Sequence, residues 1–303
     1  MEVGVIGAGN MGKNHVRIYS EMRRVSAVHV FDTNSLTLQS MERQFGAIPS
    51  GSVEEVLKKS EAVSICVPTG YHYRVAEKAV EAGVHQLIEK PICATAEEGR
   101  RLLSRIPSDL ILGVGHIERF NPIVKEMQRI ISDPCYVEMK RHNPASARVT
   151  GSSVIEDLMI HDIDIAFHLF PNGEYSVSSA GDDDVCAALL KISRVPVYLS
   201  ASRRAAKKMR SIYIECRDAT VEGNFMTQEV VVYRRPGQYA IENQRYVQEG
   251  TIEMVMVNKV EPLKLELTTF LDCVERHEPF PVTPEQAVRN LVLCEEIRRG
   301  CAR

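Results

Sequence analysis

No run of 18 apolar residues occurs in the chain, so no segment reads as a membrane-spanning helix. The opening residues, MEVGVIGAGNMG, lack the basic n-region and cleavable apolar h-region of a secretory signal, and none is expected. A net charge of -3 gives no general attraction to nucleic acid or to an anionic membrane. None of the eight cysteines has C-x-x-C spacing, and most lie inside apolar runs. That usage points to a reducing cytoplasm, with thiols buried as small hydrophobes rather than paired or bound to zinc. Internal repeats and low-complexity linkers are missing as well. The remaining composition is that of an ordinary globular protein, 44% hydrophobic and 25% charged over 303 residues, enough for one large domain or two of common size.

The first third alternates strand and helix. Apolar runs VGVI (3–6), SAVHVFD (26–32), AVSICVP (62–68), HQLIEKP (85–91) and LILGVGH (110–116) are separated by helical stretches, one of them after the second strand near 35–44 and a weak one at 52–59. Uniformly apolar strands of this kind are buried on both faces, which predicts a parallel, doubly wound sheet. GAGNMG, Gly7 to Gly12, fits G-x-G-x-x-G between the first strand and the first helix. In that context Gly7 makes the turn, Gly9 lets the backbone approach a pyrophosphate, and Gly12 allows close helix–strand packing. A pyrophosphate is expected along Gly9, Asn10, Met11 and Gly12, on free N–H groups of the helix N-terminus. Asp32, with Thr33 beside it, ends the second strand 20 residues beyond Gly12. A carboxylate there accepts from the adenosine ribose hydroxyls and repels a 2'-phosphate, and no arginine follows at once, so NAD is expected in preference to NADP.

Pro68, Thr69 and His72 lie where the third of these strands gives way to a helix, at the sheet end where ligands bind. Thr69 is expected to cap that helix and face the cofactor. His72 reads equally as a cofactor-facing group and as a surface histidine. Glu89 and Lys90 end the next strand, and Pro91 disfavours the α region for Lys90. A lysine held at the mouth of the sheet can hydrogen-bond a substrate hydroxyl; the bland alternative is a solvated lysine at a loop start.

Beyond residue 117 the pattern changes to β-rich runs at close spacing, CYVEMKRH (135–142) and then five more between 185 and 235, with two helical C-terminal segments and Thr283 as an N-cap before Pro284. The expected architecture is α/β: a Rossmann domain over 1–117 and an α+β domain over 118–303 with a large, mostly antiparallel open sheet. Between its strands lies SSVIEDLMIHDIDIAFHLF (152–170). On a regular wheel Asp157, His161, Asp164 and His168 fall within about 60° of arc on an otherwise apolar helix. Three readings are open: satisfied core histidines, a metal site, or a general base with an aspartate one turn before it. No third ligand cluster supports the metal, and none is expected.

VGVIGAGNMGKNH, VPTGYH, EKPI and DLMIHDIDI, in that order, resemble the Gfo/Idh/MocA family of sugar and cyclitol dehydrogenases. The resemblance implies two domains, a nicotinamide cofactor, oxidation of a secondary sugar alcohol, and a homodimer or homotetramer formed through the C-terminal sheet. By motif position it assigns catalysis to Lys90, Asp157 and His161. Met159 stands where the family often has glycine, and the wheel turns it away from the polar strip. GHIERFNP (115–122) and DLMIHDID are most similar to the enzymes that oxidise the 3-hydroxyl of UDP-N-acetylglucosamine. The substrate is then a small sugar or nucleotide sugar contacted by Lys90, Arg119, Asn121 and His161, with Arg119 and the run RRAAKKMR (203–210) as partners for a diphosphate. That run also reads as a solvated turn. An inositol or simple aldose dehydrogenase, a non-catalytic NAD(H)-binding redox sensor, and an NADPH reductase are the alternatives.

Overall fold

The computed structural model describes residues 1–144, 152–171, 174–235, 240–242, 245–247 and 250–302. They form two compact units, 1–120 with 261–292, and 121–260 with 293–303.

In the first unit, β1 (Glu2–Ile6), β2 (Ala27–Phe31), β3 (Ile48–Pro49), β4 (Ala62–Ile65), β5 (His85–Glu89) and β6 (Leu112–Gly115) form a parallel sheet in the order β3-β2-β1-β4-β5-β6. Helices α1 (Asn10–Glu21), α2 (Ser35–Phe45), α3 (Val53–Lys59), α4 (His72–Glu81) and α5 (Ala96–Leu103) make the crossovers. Val5, Ile6, Ile65, Leu87 and Ile88 have no exposed surface, which is why these strands show no polar alternation. The two-residue β3 carries too little pattern to be seen in the sequence. Local chemistry bounds α2: Asn34 accepts from the N–H groups of Leu36 and Thr37 to open it, and Gly46 at φ 67° closes it.

The second unit contains α6 (Pro122–Ile130), β7 (Pro134–His142), a π-helical turn (Ile155–Met159) running into α7 (Ile160–Leu169), and then β8 (Tyr175–Gly181), β9 (Val185–Ile192), β10 (Val195–Ser202), β11 (Met209–Cys216), β12 (Ala219–Asn224) and β13 (Glu229–Arg234). A two-stranded pair, β14 (Ala240–Glu242) and β15 (Arg245–Val247), precedes β16 (Ile252–Met254). Among the described residues eight strands share one sheet, ordered β16-β13-β12-β11-β7-β10-β9-β8, in which only β7 and β10 pair in parallel. Here the strands alternate. Cys186, Ala188, Leu190 and Ile192 of β9 are buried, whereas Val185, Leu189 and Lys191 are exposed, so one face lies open.

The last helices, α8 (Pro262–Arg276) and α9 (Pro284–Cys301), depart from the expected boundary. By its internal contacts the first unit runs to Phe120 and takes in residues 261–292 as well. The reason is specific packing. Leu267, Phe270 and Leu271 of α8 are fully buried, Arg17 of α1 pairs with Glu261, and Arg24 donates to the Thr268 carbonyl at 2.6 Å and pairs with Asp272. Phe280 stacks between Phe120 and Phe270. At the start of α9, Thr283 Oγ1 accepts from the Gln286 N–H at 3.4 Å, as its N-cap role requires.

Candidate active site

The glycine turn joins β1 to α1, and its three glycines answer to three different constraints. Gly7 has φ 89° and donates its N–H to the Phe31 carbonyl at 2.8 Å, and a Cβ there would stand 2.7 Å from the Val67 nitrogen. At Gly12 a Cβ would lie 1.9 Å from the Gly7 carbonyl oxygen. At Gly9 a Cβ would meet nothing within 4 Å, so no contact within the protein explains a glycine there. Gly9 is also the N-cap of α1, and no side chain caps that helix. A bare helix N-terminus beside open space fits a pyrophosphate. Asn10 on the same turn is exposed and Met11 half-buried.

Asp32 follows β2 directly. Its Oδ2 accepts the Ala8 N–H at 2.7 Å and its Oδ1 the Asn34 N–H at 2.8 Å. The backbone thus fixes the carboxylate beside the glycine turn, while the half-buried side chain keeps lone pairs for a ribose. Thr33 is exposed next to it.

The loop after β4 differs from expectation. Thr69 begins a short 3-10 turn, Thr69–Tyr71, and neither this turn nor α4 has a side-chain cap, so the capping role assigned to Thr69 is not realised. Pro68 precedes the turn and is exposed. His72 is not a surface histidine. It is buried, with Nδ1 2.8 Å from the Pro91 carbonyl oxygen and Nε2 2.8 Å from that of Val67. Burial, the largest influence, holds its pKa below the ordinary imidazole value against these two carbonyls. The ring pins the strand-end loops on which Thr69 and Lys90 sit.

Glu89 also points inward. It is buried, and its Oε1 lies 3.0 Å from Nε2 of His15 on α1, with side-chain exposures of 10% and 1%. Burial pushes the carboxyl up, but the hydrogen bond and charge of His15, helped by Lys90 and His72, outweigh it and leave Glu89 below the usual carboxylate range. Lys90, half-buried, follows at the carboxyl end of β5, and the Lys90–Pro91 peptide is cis.

In the second unit the 152–170 segment is not a regular α-helix throughout, so the regular wheel does not hold through Asp157. Residues 155–159 form a π turn, which holds more residues than an α turn and shifts the phase of everything before it. Asp157, on that turn, has Oδ2 3.6 Å from Nη2 of the buried Arg203. Asp162, outside the expected strip, is the deeply paired carboxylate: Arg141 Nε and Nη2 donate to its Oδ1 at 2.9 and 2.7 Å, and the guanidinium lies 5.5 Å from the Phe225 ring centroid. Asp164 is buried. His168 accepts at Nε2 from the Gln128 side-chain amide of α6 at 2.8 Å, which removes it from the group. His161 is half-buried, in the first turn of α7 and next to the anchored Asp162. Met159 is fully buried.

Two expected substrate contacts are otherwise employed. Asn121 is buried; it caps α6 through Oδ1 and donates to the Phe225 carbonyl at 3.0 Å. Within the run 203–210, Arg203 is buried and donates to the Ser152 carbonyl at 2.7 Å, whereas Lys207 and Lys208 are exposed. Arg119 is half-buried, its guanidinium 3.3 Å from Gln286 Oε1. The contributions of His15, Arg141 and Asp162 were not foreseen. A signal existed for His15, a polar residue in the otherwise apolar buried stripe Gly12, Val16 and Tyr19 of α1.

Residues 1–116 match the family model described as an oxidoreductase family with an NAD-binding Rossmann fold. The chain is 30% identical over 288 residues to the UDP-N-acetylglucosamine 3-dehydrogenase of Acidithiobacillus ferrooxidans, covering 92% of this chain and 90% of that one. It is 25% identical over 335 residues to an inositol 2-dehydrogenase of Rhizobium meliloti, covering 99% and 96%. A solved structure of the Acidithiobacillus ferrooxidans enzyme superposes with a TM-score of 0.90 at 28% identity, covering 99% of this chain and 97% of that one.

Proposed function

This chain belongs to the Gfo/Idh/MocA family of oxidoreductases, and from that premise we propose that it is an NAD-dependent dehydrogenase oxidising the 3-hydroxyl of a nucleotide sugar, UDP-N-acetylglucosamine or a close relative, to the ketone. The observation that carries the reading is its end-to-end likeness, in sequence and in fold, to a dehydrogenase of that name. Asp32 supports NAD over NADP, because a second anion beside its backbone-fixed carboxylate would be repelled. His161 takes the hydroxyl proton, Asp157 steadies the ring, and Lys90 donates a hydrogen bond to the same oxygen as it becomes the ketone oxygen. Bound NAD supplies the acceptor for the hydride leaving the carbinol carbon. Arg119 and the exposed Lys207 and Lys208 are the cations offered to a diphosphate.

The test is reduction of NAD, followed at 340 nm, with UDP-N-acetylglucosamine, free N-acetylglucosamine and inositol, and again with NADP. The expected result is a kcat/KM for the UDP-sugar at least about tenfold above the others, with NAD preferred. Turnover of inositol alone would replace this reading by the second one, which the likeness to the inositol 2-dehydrogenase favours. No turnover of any polyol with tight NADH binding would leave a redox sensor.

A homodimer or homotetramer through the open sheet face is part of the same proposal. Val185, Leu189, Tyr233, Ile252 and Met254 put exposed apolar surface on that sheet, and such surface marks an interface. Sedimentation velocity should find a dimer or larger assembly, and Leu189→Glu should shift it toward monomer. A monomeric parent at micromolar concentration would rule the interface out.

A further inference from the structure

Lys90 is held by more than its place at the end of β5. The Glu89 carboxylate spans two partners: Oε1 receives His15 Nε2 at 3.0 Å, and Oε2 accepts the backbone N–H of Lys90 itself at 3.2 Å. Glu89 is in register with Gly115 of β6, where a Cβ would stand 3.3 Å from the Glu89 carboxyl carbon, so the neighbouring strand leaves the space this side chain fills. On the far side of Lys90, the Pro91 carbonyl lies 2.8 Å from His72 Nδ1. His15 itself lies three residues beyond Gly12 on the helix whose N-terminus faces the phosphates, and its ring meets Tyr19 edge-on.

A buried ion pair is a poor source of stability, since desolvating both charges offsets most of the attraction. An apolar pair would fill the space between α1 and β5 at least as well. What an apolar pair could not do is accept the Lys90 N–H and keep a negative charge one residue from the ammonium. We propose that His15 and Glu89 form a positioning pair that fixes the backbone of Lys90 and holds its side chain in the ammonium form. This rests on the reading of Lys90 as a catalytic residue. It divides the work of the reaction: Lys90 donates to the substrate oxygen throughout, and His161 carries the proton. The groups facing Glu89 are His15 from α1, Cys66 after β4, His72 from α4, and Lys90, with Tyr19 against the His15 ring and Glu266 of α8 near Tyr19 and Cys66. Of these, only His15, His72 and Lys90 are able to carry positive charge, and His15 makes the direct contact.

The experiment uses Glu89→Gln, His15→Leu and His15→Gln in the full chain, with two readouts. The first is the pH profile of kcat. Removing the carboxylate charge disfavours the ammonium, so in Glu89→Gln the limb belonging to Lys90 should move to lower pH by about one unit. Its kcat should fall about tenfold or more, with dinucleotide Kd within about threefold. His15→Leu should follow it, and it keeps the test open if the strand variant folds poorly. His15→Gln, which keeps a donor near the Nε2 position, should recover most of the rate. The second readout needs no turnover: the NMR titration of 13C-methylated Lys90, assigned with Lys90→Arg, should move in the same direction. An unmoved Lys90 titration and near-parental kcat in both Glu89→Gln and His15→Leu would overturn the pair's role. Full activity in Lys90→Ala would instead overturn the catalytic reading, and the NMR titration would still judge the pair.

Discussion

Turnover should fall by a factor of about 10² to 10⁴ in Lys90→Ala and, separately, in His161→Ala, while NAD affinity stays within about threefold of the parent. The asymmetry follows from the folding of the first unit. The backbone proposed for the phosphates belongs to β1 and α1, and the carboxylate proposed for the ribose to the end of β2, whereas Lys90 enters from β5. Lys90 is half-buried and its backbone is tied at Glu89 on one side and Pro91 on the other, so truncating the side chain leaves no core cavity. His161 is half-buried in turn, on a helix anchored independently by Asp162 and Arg141. Lys90→Arg discriminates further. A guanidinium stays charged but does not reproduce the compact ammonium, so it should recover little. Single-turnover absorbance at 340 nm and a fluorescence titration with NADH separate chemistry from binding. A rate within threefold of the parent in either alanine variant would strike that residue from the mechanism.

Two alanines in the glycine turn should fail in opposite ways. In Gly12→Ala the new Cβ would sit 1.9 Å from the Gly7 carbonyl oxygen, a backbone collision that no rotamer relieves. The turn must open, which costs on the order of 3 kcal/mol or more and lowers the unfolding temperature by roughly 10 °C. In Gly9→Ala the Cβ enters empty space at φ -65°, a value any residue adopts. The unliganded protein should therefore melt within about 2 °C of the parent, yet bind NAD at least about tenfold more weakly, because the methyl stands where phosphate oxygens approach. Calorimetric melting and NADH titration of the two variants check both halves. Parental NAD affinity in Gly9→Ala would remove the pyrophosphate from that turn.

How far the sequence could be read depended on whether the relevant force was local. Strands buried on both faces announce themselves as apolar runs, and the glycine spacing needs nothing outside its own turn, so β1, β2, β4, β5, β6 and the dinucleotide turn were all readable. The helix α6 was overlooked although Asn121–Pro122 and the apolar Ile123, Val124 and Met127 signalled it. Other features were not in the sequence at all. The π turn at 155–159 breaks the 100° step on which the polar strip was drawn, and nothing in IEDLM marks it. That Glu89 turns inward to a histidine 74 positions away is a long-range fact of the α1–β5 packing. Asn121 looked like a ligand residue because caps and ligand contacts use the same side chains.

The return of residues 261–292 to the first unit has a temporal side. Translation makes the glycine turn well before α8, and the α8 segment that pairs with Arg17 and Arg24 of the first unit emerges only after the whole of 121–260. A nascent chain paused after β6 would hold the glycine turn and Asp32 and still lack one wall of its own core. The second unit waits in the same way for residues 293–303. Neither unit can close its core until its own C-terminal segment has been made, so the folding of both is interleaved rather than sequential.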